Sequence, residues 1–154
     1  MLFNGRDFTF FDFEGQRVRR FSEMRLKRSP LRDLAALVCS LYYAGLVALR
    51  NHAGPGSPAY ADLLPWAEAW FEIVSAGLVN RYKICIEPAG VLPADGDWLL
   101  MLDIYRLDRH LVELDGELRR QRGWAEIPVR GLLQELNRFE VGSRPDFNRR
   151  EVGN

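Results

Sequence analysis

Between Asp33 and Arg50 the chain runs for sixteen residues, Leu34 to Leu49, without a charge. Apolar positions recur at 31, 34, 35, 38, 41, 42, 45, 46 and 49, which is helical spacing, and the run is apolar nearly all round. A helix without a polar stripe must be surrounded by other elements, so this one is expected at the centre of the fold. The uncharged run falls short of the ~18–20 apolar residues that span a bilayer. A buried core helix is therefore expected, and no membrane span.

The chain has 154 residues, and Lys+Arg and Asp+Glu balance at 21 each. That length can bury a core without disulfides or metals. Zero formal charge argues against bulk attraction to nucleic acid or an anionic membrane. Cys39 and Cys85 lie far apart, with neither a disulfide framework nor zinc-ribbon spacing, and a reducing cytoplasm is the expected location. No basic-then-apolar leader follows Met1. Arg outnumbers Lys 19 to 2, a bias that carries no functional weight here.

Six of the nine Phe fall within the first 21 residues. Met1-Leu2-Phe3, then Asn4-Gly5, then Asp7 to Phe13 read as a hairpin, because Asn-Gly suits the positive φ of a type I′ turn. In the second strand Phe8 and Phe10 point to one face, Phe11 and Phe13 to the other. A strand apolar on both faces is normally covered on both, and a lone hairpin is marginal. The expectation is that further strands are supplied from upstream.

Helix starts follow from cap-plus-Pro pairs. Ser29-Pro30 opens the apolar helix, and Ser57-Pro58 opens a second one through Trp66, Trp70, Phe71, Val74 and Leu78, which Pro65 is expected to kink or divide. Glu87 to Gly96 reads as a loop. A long amphipathic helix is predicted from Asp97 to about Gln121, with Gly123 as its stop, and a shorter one restarts at Ile127-Pro128. The fold class expected is mainly α with an N-terminal β-hairpin. Its divisions are a hairpin over 1–15, a helical body over 16–140 and a frayed tail over 141–154.

Asp12 stands between two Phe, and a carboxylate in such company needs a cation or several donors. It reads either as a strand-end residue capping the next turn or pairing with an arginine, or as a metal ligand. An apolar strand, Asp-Phe, one residue and Gly is how kinase-like enzymes place their metal-binding Asp. The connection that follows holds Arg17, Arg19, Arg20, Arg25, Lys27, Arg28 and Arg32 against Glu23 alone. It reads as a solvated surface or as a site for phosphates or an acidic partner. Nucleic acid ranks last, for want of interleaved stacking aromatics. His52 and His110 have no ligand-spaced neighbours and read as a helix-end cap and an ordinary helix residue. Cys39 reads as core, and the four Trp as packing at core positions or helix ends.

In order along the chain, Asp12-Phe-Glu-Gly15, Glu23, Lys27-Arg-Ser-Pro-Leu-Arg-Asp33, Ala35, Ser40, Tyr43-Ala44, Trp124, Ile127-Pro128 and Arg130-Gly131 make a pattern that resembles the maltokinases. That family includes the kinase domain fused to trehalose synthase, and the resemblance runs from Phe8 to about Leu136. The family is similar in fold to aminoglycoside phosphotransferases and protein kinases. It phosphorylates maltose from ATP at the anomeric hydroxyl, feeding glycogen or glucan synthesis. The resemblance implies the C-terminal lobe of a kinase-like α+β fold, with Asp12 holding the Mg²⁺ that bridges the ATP phosphates. It also implies a catalytic His-Gly-Asp segment and an ATP-binding lobe upstream of Met1, so that this chain holds no catalytic base and is inactive alone. Where the family's sugar-facing helix has a Lys and two Tyr, this chain has Arg109, Val112 and Gly116, and Arg119-Arg-Gln-Arg122 replaces the usual helix end. Arg109 and Arg130 are then the candidate sugar-binding residues. The implied partners are the missing N-terminal lobe or a trehalose synthase-type protein. The competing class is a non-catalytic helical interaction module, or pseudokinase remnant, that docks on a separate chain.

Overall fold

Ser29 begins the helical body by turning its hydroxyl onto the chain. Its Oγ accepts from the Leu31 N–H at 3.3 Å, and its carbonyl accepts from the Arg32 N–H. The computed structural model describes residues 2–9, 29–92, 97–121 and 123–141. Within these the protein is mainly helical. Helix α1 spans Leu31–His52, α2 Pro58–Ile86, α3 Asp97–Arg120 and α4 Glu126–Val141, with a 3-10 turn at Glu87–Ala89.

Helix α1 is the hub, as its all-round apolar sequence requires. It packs against α2, α3 and α4, while α3 also packs on α4. Its Leu31, Leu34, Val38, Tyr42, Leu46 and Leu49 are buried with Phe71 and Val79 of α2, Trp98 and Leu102 of α3 and Ile127 of α4. Each aliphatic or aromatic side chain so buried contributes about 1.5–3 kcal/mol. Gly45 lets α2 approach closely, since a Cβ there would stand 3.3 Å from the Trp70 ring. The helix runs six residues longer than its uncharged stretch, to 22 residues. By length and composition alone it then meets the requirement for crossing a membrane, which the uncharged run does not.

Ser57 caps α2 as expected, its Oγ accepting from the Tyr60 N–H at 3.2 Å ahead of Pro58. The helix then continues through Pro65 without dividing. Helix α3 ends at Arg120, where its sequence suggested. Gln121 takes the left-handed φ of +52° while its N–H donates to the Glu117 carbonyl, and Gly123, the expected stop, is left-handed too at +75°.

At the N-terminus, β1 (Leu2–Phe3) pairs antiparallel with β2 (Phe8–Thr9), Leu2 opposite Thr9 and Phe3 opposite Phe8. The connection is not the type I′ turn expected with Asn4-Gly5 at its centre. Gly5 alone has positive φ, at +91°, and Asn4 instead flanks the turn. The Asn4 side-chain oxygen accepts from the N–H groups of Arg6 and Asp7 at 3.0 and 2.8 Å. Residues 10–15 of the expected hairpin, and the tail from 142 onward, lie outside the described residues.

The cap on α2 gives a direct test. Ser57→Ala removes the acceptor for Tyr60 and is expected to cost about 1 kcal/mol, while Ser57→Asp retains stability within a few tenths. Chemical denaturation of both variants checks this.

Candidate functional site

Among the described residues, Arg109 and Arg130 are not brought together. Asp12, the metal candidate, and the basic run from Arg17 to Arg28 lie outside the described residues. Arg32, the end of that run, pairs with Asp108 of α3 at 3.6 Å. Arg109 pairs with Glu113 one turn along α3, whereas Arg130 of α4 reaches Glu68 of α2 at 3.3 Å. The two candidate sugar-binding arginines therefore share no partner, and each is already neutralised by a carboxylate. Beside Gly116, where the resemblance places an aromatic platform, a Cβ would meet the Arg120 guanidinium at 3.6 Å.

The strongest polar constellation lies elsewhere, in the core between α1, α3 and α4. Periodicity places Trp98, Leu102, Arg106 and His110 on one face of α3, and that face is buried. Arg106 is only 6% exposed and its Nη2 donates to Glu135 of α4, itself 1% exposed. It leans at 3.8 Å toward Asp103 and stands 5.9 Å from the centre of the Phe71 ring. One turn along, His110 is 2% exposed, with its ring edge-on to Tyr42 at 5.6 Å. Tyr42 in turn meets Phe71 edge-on at 5.0 Å. Gly131 of α4 lies flat against the imidazole. A Cβ there would fall 2.4 Å from its Cε1, so no other residue fits without moving a ring held on all sides.

Cys39 of α1 completes the cluster. Its Sγ lies 3.7 Å from His110 Nε2 and 3.9 Å from the Arg106 carbonyl. Cys and His in contact suggest an activated nucleophile, but the electrostatics oppose it. Burial pushes the thiol up to about 12, and burial with Arg106 and Arg109 nearby pushes the imidazole down to about 4. Proton transfer from sulfur to nitrogen is strongly uphill, so both groups stay neutral and the pair is structural. Burial also pushes the Glu135 carboxyl up, partly offset by Arg106 and Arg138. His110 Nδ1, Arg106 Nε, Glu135 Oε2 and the Tyr42 hydroxyl have no hydrogen-bond partner among the described residues. Each such orphan costs the fold about 1–3 kcal/mol of desolvation.

A second polar group lies between α1 and α3. Glu117 is buried with Oε2 unpartnered, its other oxygen 3.7 Å from Arg120, and the Tyr43 hydroxyl is unpartnered too. Burial, with Glu113 and Glu117 close by, pushes that phenol upward. On the surface, α2 and α4 are linked by Glu72, which accepts from Gln134 at 2.7 Å and pairs with Arg138.

Sequence reading placed Cys39 correctly in the core but treated His110 as an ordinary helix residue. The signal for it was Gly131 inside a Leu-rich helix, a position where close approach is the usual reason for glycine. The Trp expectation needs correcting. Trp98 is buried and Trp70 packs on Gly45, but Trp66 stands 74% exposed on the outer side of α2.

Among the described residues no group of three or more His, Cys, Asp or Glu could hold a metal ion. No protein-family model matches this chain, and no solved structure matches it.

The buried histidine makes stability depend on pH. Its folded value lies below the unfolded value of 6.5, so the unfolded chain takes up a proton that the fold refuses. The stabilisation from neutral His110 is complete above pH 6.5 and is lost as pH falls toward 4, roughly 3 kcal/mol in all. Glu135, with its carboxyl raised, acts in the opposite sense, so the comparison must be with a variant. Denaturant unfolding between these limits should show the wild-type chain losing stability relative to His110→Asn. Parallel curves for the two proteins would contradict this.

Proposed function

We propose that this chain is the helical, sugar-side portion of a maltokinase-like phosphotransferase, and that it transfers no phosphoryl group by itself. The parent reaction is transfer of the ATP γ-phosphoryl group to a sugar hydroxyl, with maltose as the family's substrate. The reading is carried by the ordered motif set from Asp12-Phe-Glu-Gly15 to Arg130-Gly131. A mainly helical body with α1 at its centre is compatible with a kinase-like C-terminal lobe, in which the hairpin would run under the active site. Asp12 is assigned to Mg²⁺ and, through it, to the ATP phosphates. Arg109 and Arg130 are assigned to the sugar, which requires their release from Glu113 and Glu68.

Phosphoryl transfer depends on positioning and charge neutralisation by many groups acting together. This sequence holds no His-Gly-Asp segment, and one metal ligand cannot replace it. A separate chain carrying the ATP-binding lobe, or a trehalose synthase-type partner, would supply the rest. We place the chain in the cytoplasm, in keeping with two free cysteines, one of them exposed.

A second reading, a non-catalytic interaction module, is favoured by one observation. Helices α3 and α4 leave Leu100, Ile104, Leu111 and Leu118, and Val129, Leu133 and Leu136, open to solvent. Large exposed apolar patches on a domain mark contact surfaces.

The two readings separate in one assay. The purified chain is mixed with a maltokinase N-terminal lobe, and ATP-dependent phosphorylation of maltose is followed. The kinase reading expects activity only in the mixture, abolished by Asp12→Asn. Complex formation without phosphorylation supports the module. Phosphorylation of any sugar by the 154-residue chain alone would overturn the claim that it is inactive by itself.

A further inference from the structure

The outer face of α2 is unusual for a surface helix. Asp62, Leu63, Trp66, Trp70, Ile73 and Gly77 share it, with Arg81 at its edge. Trp66 and Ile73 are each 74% exposed. The face carries no charge between Asp62 and Arg81, because Glu68 and Glu72 turn sideways to bind Arg130, Gln134 and Arg138 of α4. The opposite face, through Phe71, Ser75 and Val79, is buried. Among the described residues, this outer stripe, apart from Trp70 against Gly45, is not used in packing the four helices.

We propose that this face binds a second copy of the same chain, α2 against α2, antiparallel about a two-fold axis. Such an axis brings residues close to it beside their own counterparts, so like charges there repel. The α2 stripe has none there. By contrast, the exposed stripe of α3 is flanked by Asp108 and Asp115, which the same symmetry would set against each other. An axis passing between positions 71 and 72 gives a complementary register. Trp66 then faces Gly77, and Trp70 faces Ile73. Gly77 offers the required room, since nothing lies within 4 Å of where its Cβ would stand. At the ends, Asp62 of one copy meets Arg81 of the other, and neither makes an ion pair among the described residues. The exposed parts of Leu63, Trp66, Trp70 and Ile73 amount to several hundred Å², on the order of half of the about 800 Å² that each side of a standard interface buries. Flanking residues supply the rest, with exposed Trp as the anchor type that dominates interface energies.

The test is sedimentation of the full chain from about 1 to 200 µM, a range in which association follows mass action. A dimer is expected. Trp66→Ala weakens it at least tenfold, and Gly77→Leu, which meets open space within one chain, abolishes it while leaving helix content by circular dichroism unchanged. Asp62→Arg and Arg81→Asp each weaken association, and the two together restore it. A monomer throughout this range overturns the proposal and leaves the face to an unlike partner. A dimer indifferent to Trp66 and Gly77 also overturns it, because contact then lies on another face.

Discussion

The ion pair between Arg106 and Glu135 is the contact on which the packing of α3 and α4 depends. Both charges are withdrawn from water, at a cost of several kcal/mol each before their attraction repays it. Repayment requires close approach, and Gly131 provides it by removing the side chain that would collide with His110. The imidazole then bridges to Cys39 of α1 and to the Tyr42–Phe71 pair, so the polar contact between two helices is tied into the apolar centre of all four. Hydrophobic burial around α1 drives the helices together. The ion pair, the ring and the glycine set how α4 lies on α3.

This arrangement explains why the most reactive-looking residues of the described chain are inert. Cys39 and His110 lie 3.7 Å apart, yet burial moves each toward its neutral form, and Glu135 is held by Arg106. A nucleophile needs the opposite environment, exposed and electropositive. The inner surface of the bundle is structural, and what the chain offers to other molecules is on its outer faces. The uncharged stripe of α2 and the leucine rows of α3 and α4 have different charge borders, which suit different partners.

Local signals in the sequence were sufficient for the helices, though at α1 Pro30 rather than Ser29 takes the cap position. An uncharged sixteen-residue run could only be a central helix, and Ser57-Pro58 marked the start of α2 with the cap seen there. What a single sequence does not contain is which faces meet. Arg106 and His110 follow the same four-residue step as Trp98 and Leu102, so polar side chains on a core face looked like solvent-facing ones. Glu135 is 29 residues further on, and nothing local links it to Arg106. Trp66 misled for the converse reason, because a tryptophan is read as core until the helix around it is seen to have two apolar faces. In the N-terminal turn, Asn4 was assigned by its tolerance of positive φ, but its side chain had a better use as acceptor for two backbone N–H groups.

A double-mutant cycle on the buried pair tests the central claim most directly. Arg106→Met and Glu135→Leu each leave an uncompensated buried charge, and each should cost about 3–5 kcal/mol. The double variant, which removes both charges, should recover most of that loss, so that it is far less destabilised than the sum of the two single variants. Additive effects, with the double variant as unstable as the sum of the two, would show that Arg106 and Glu135 do not hold α3 and α4 together.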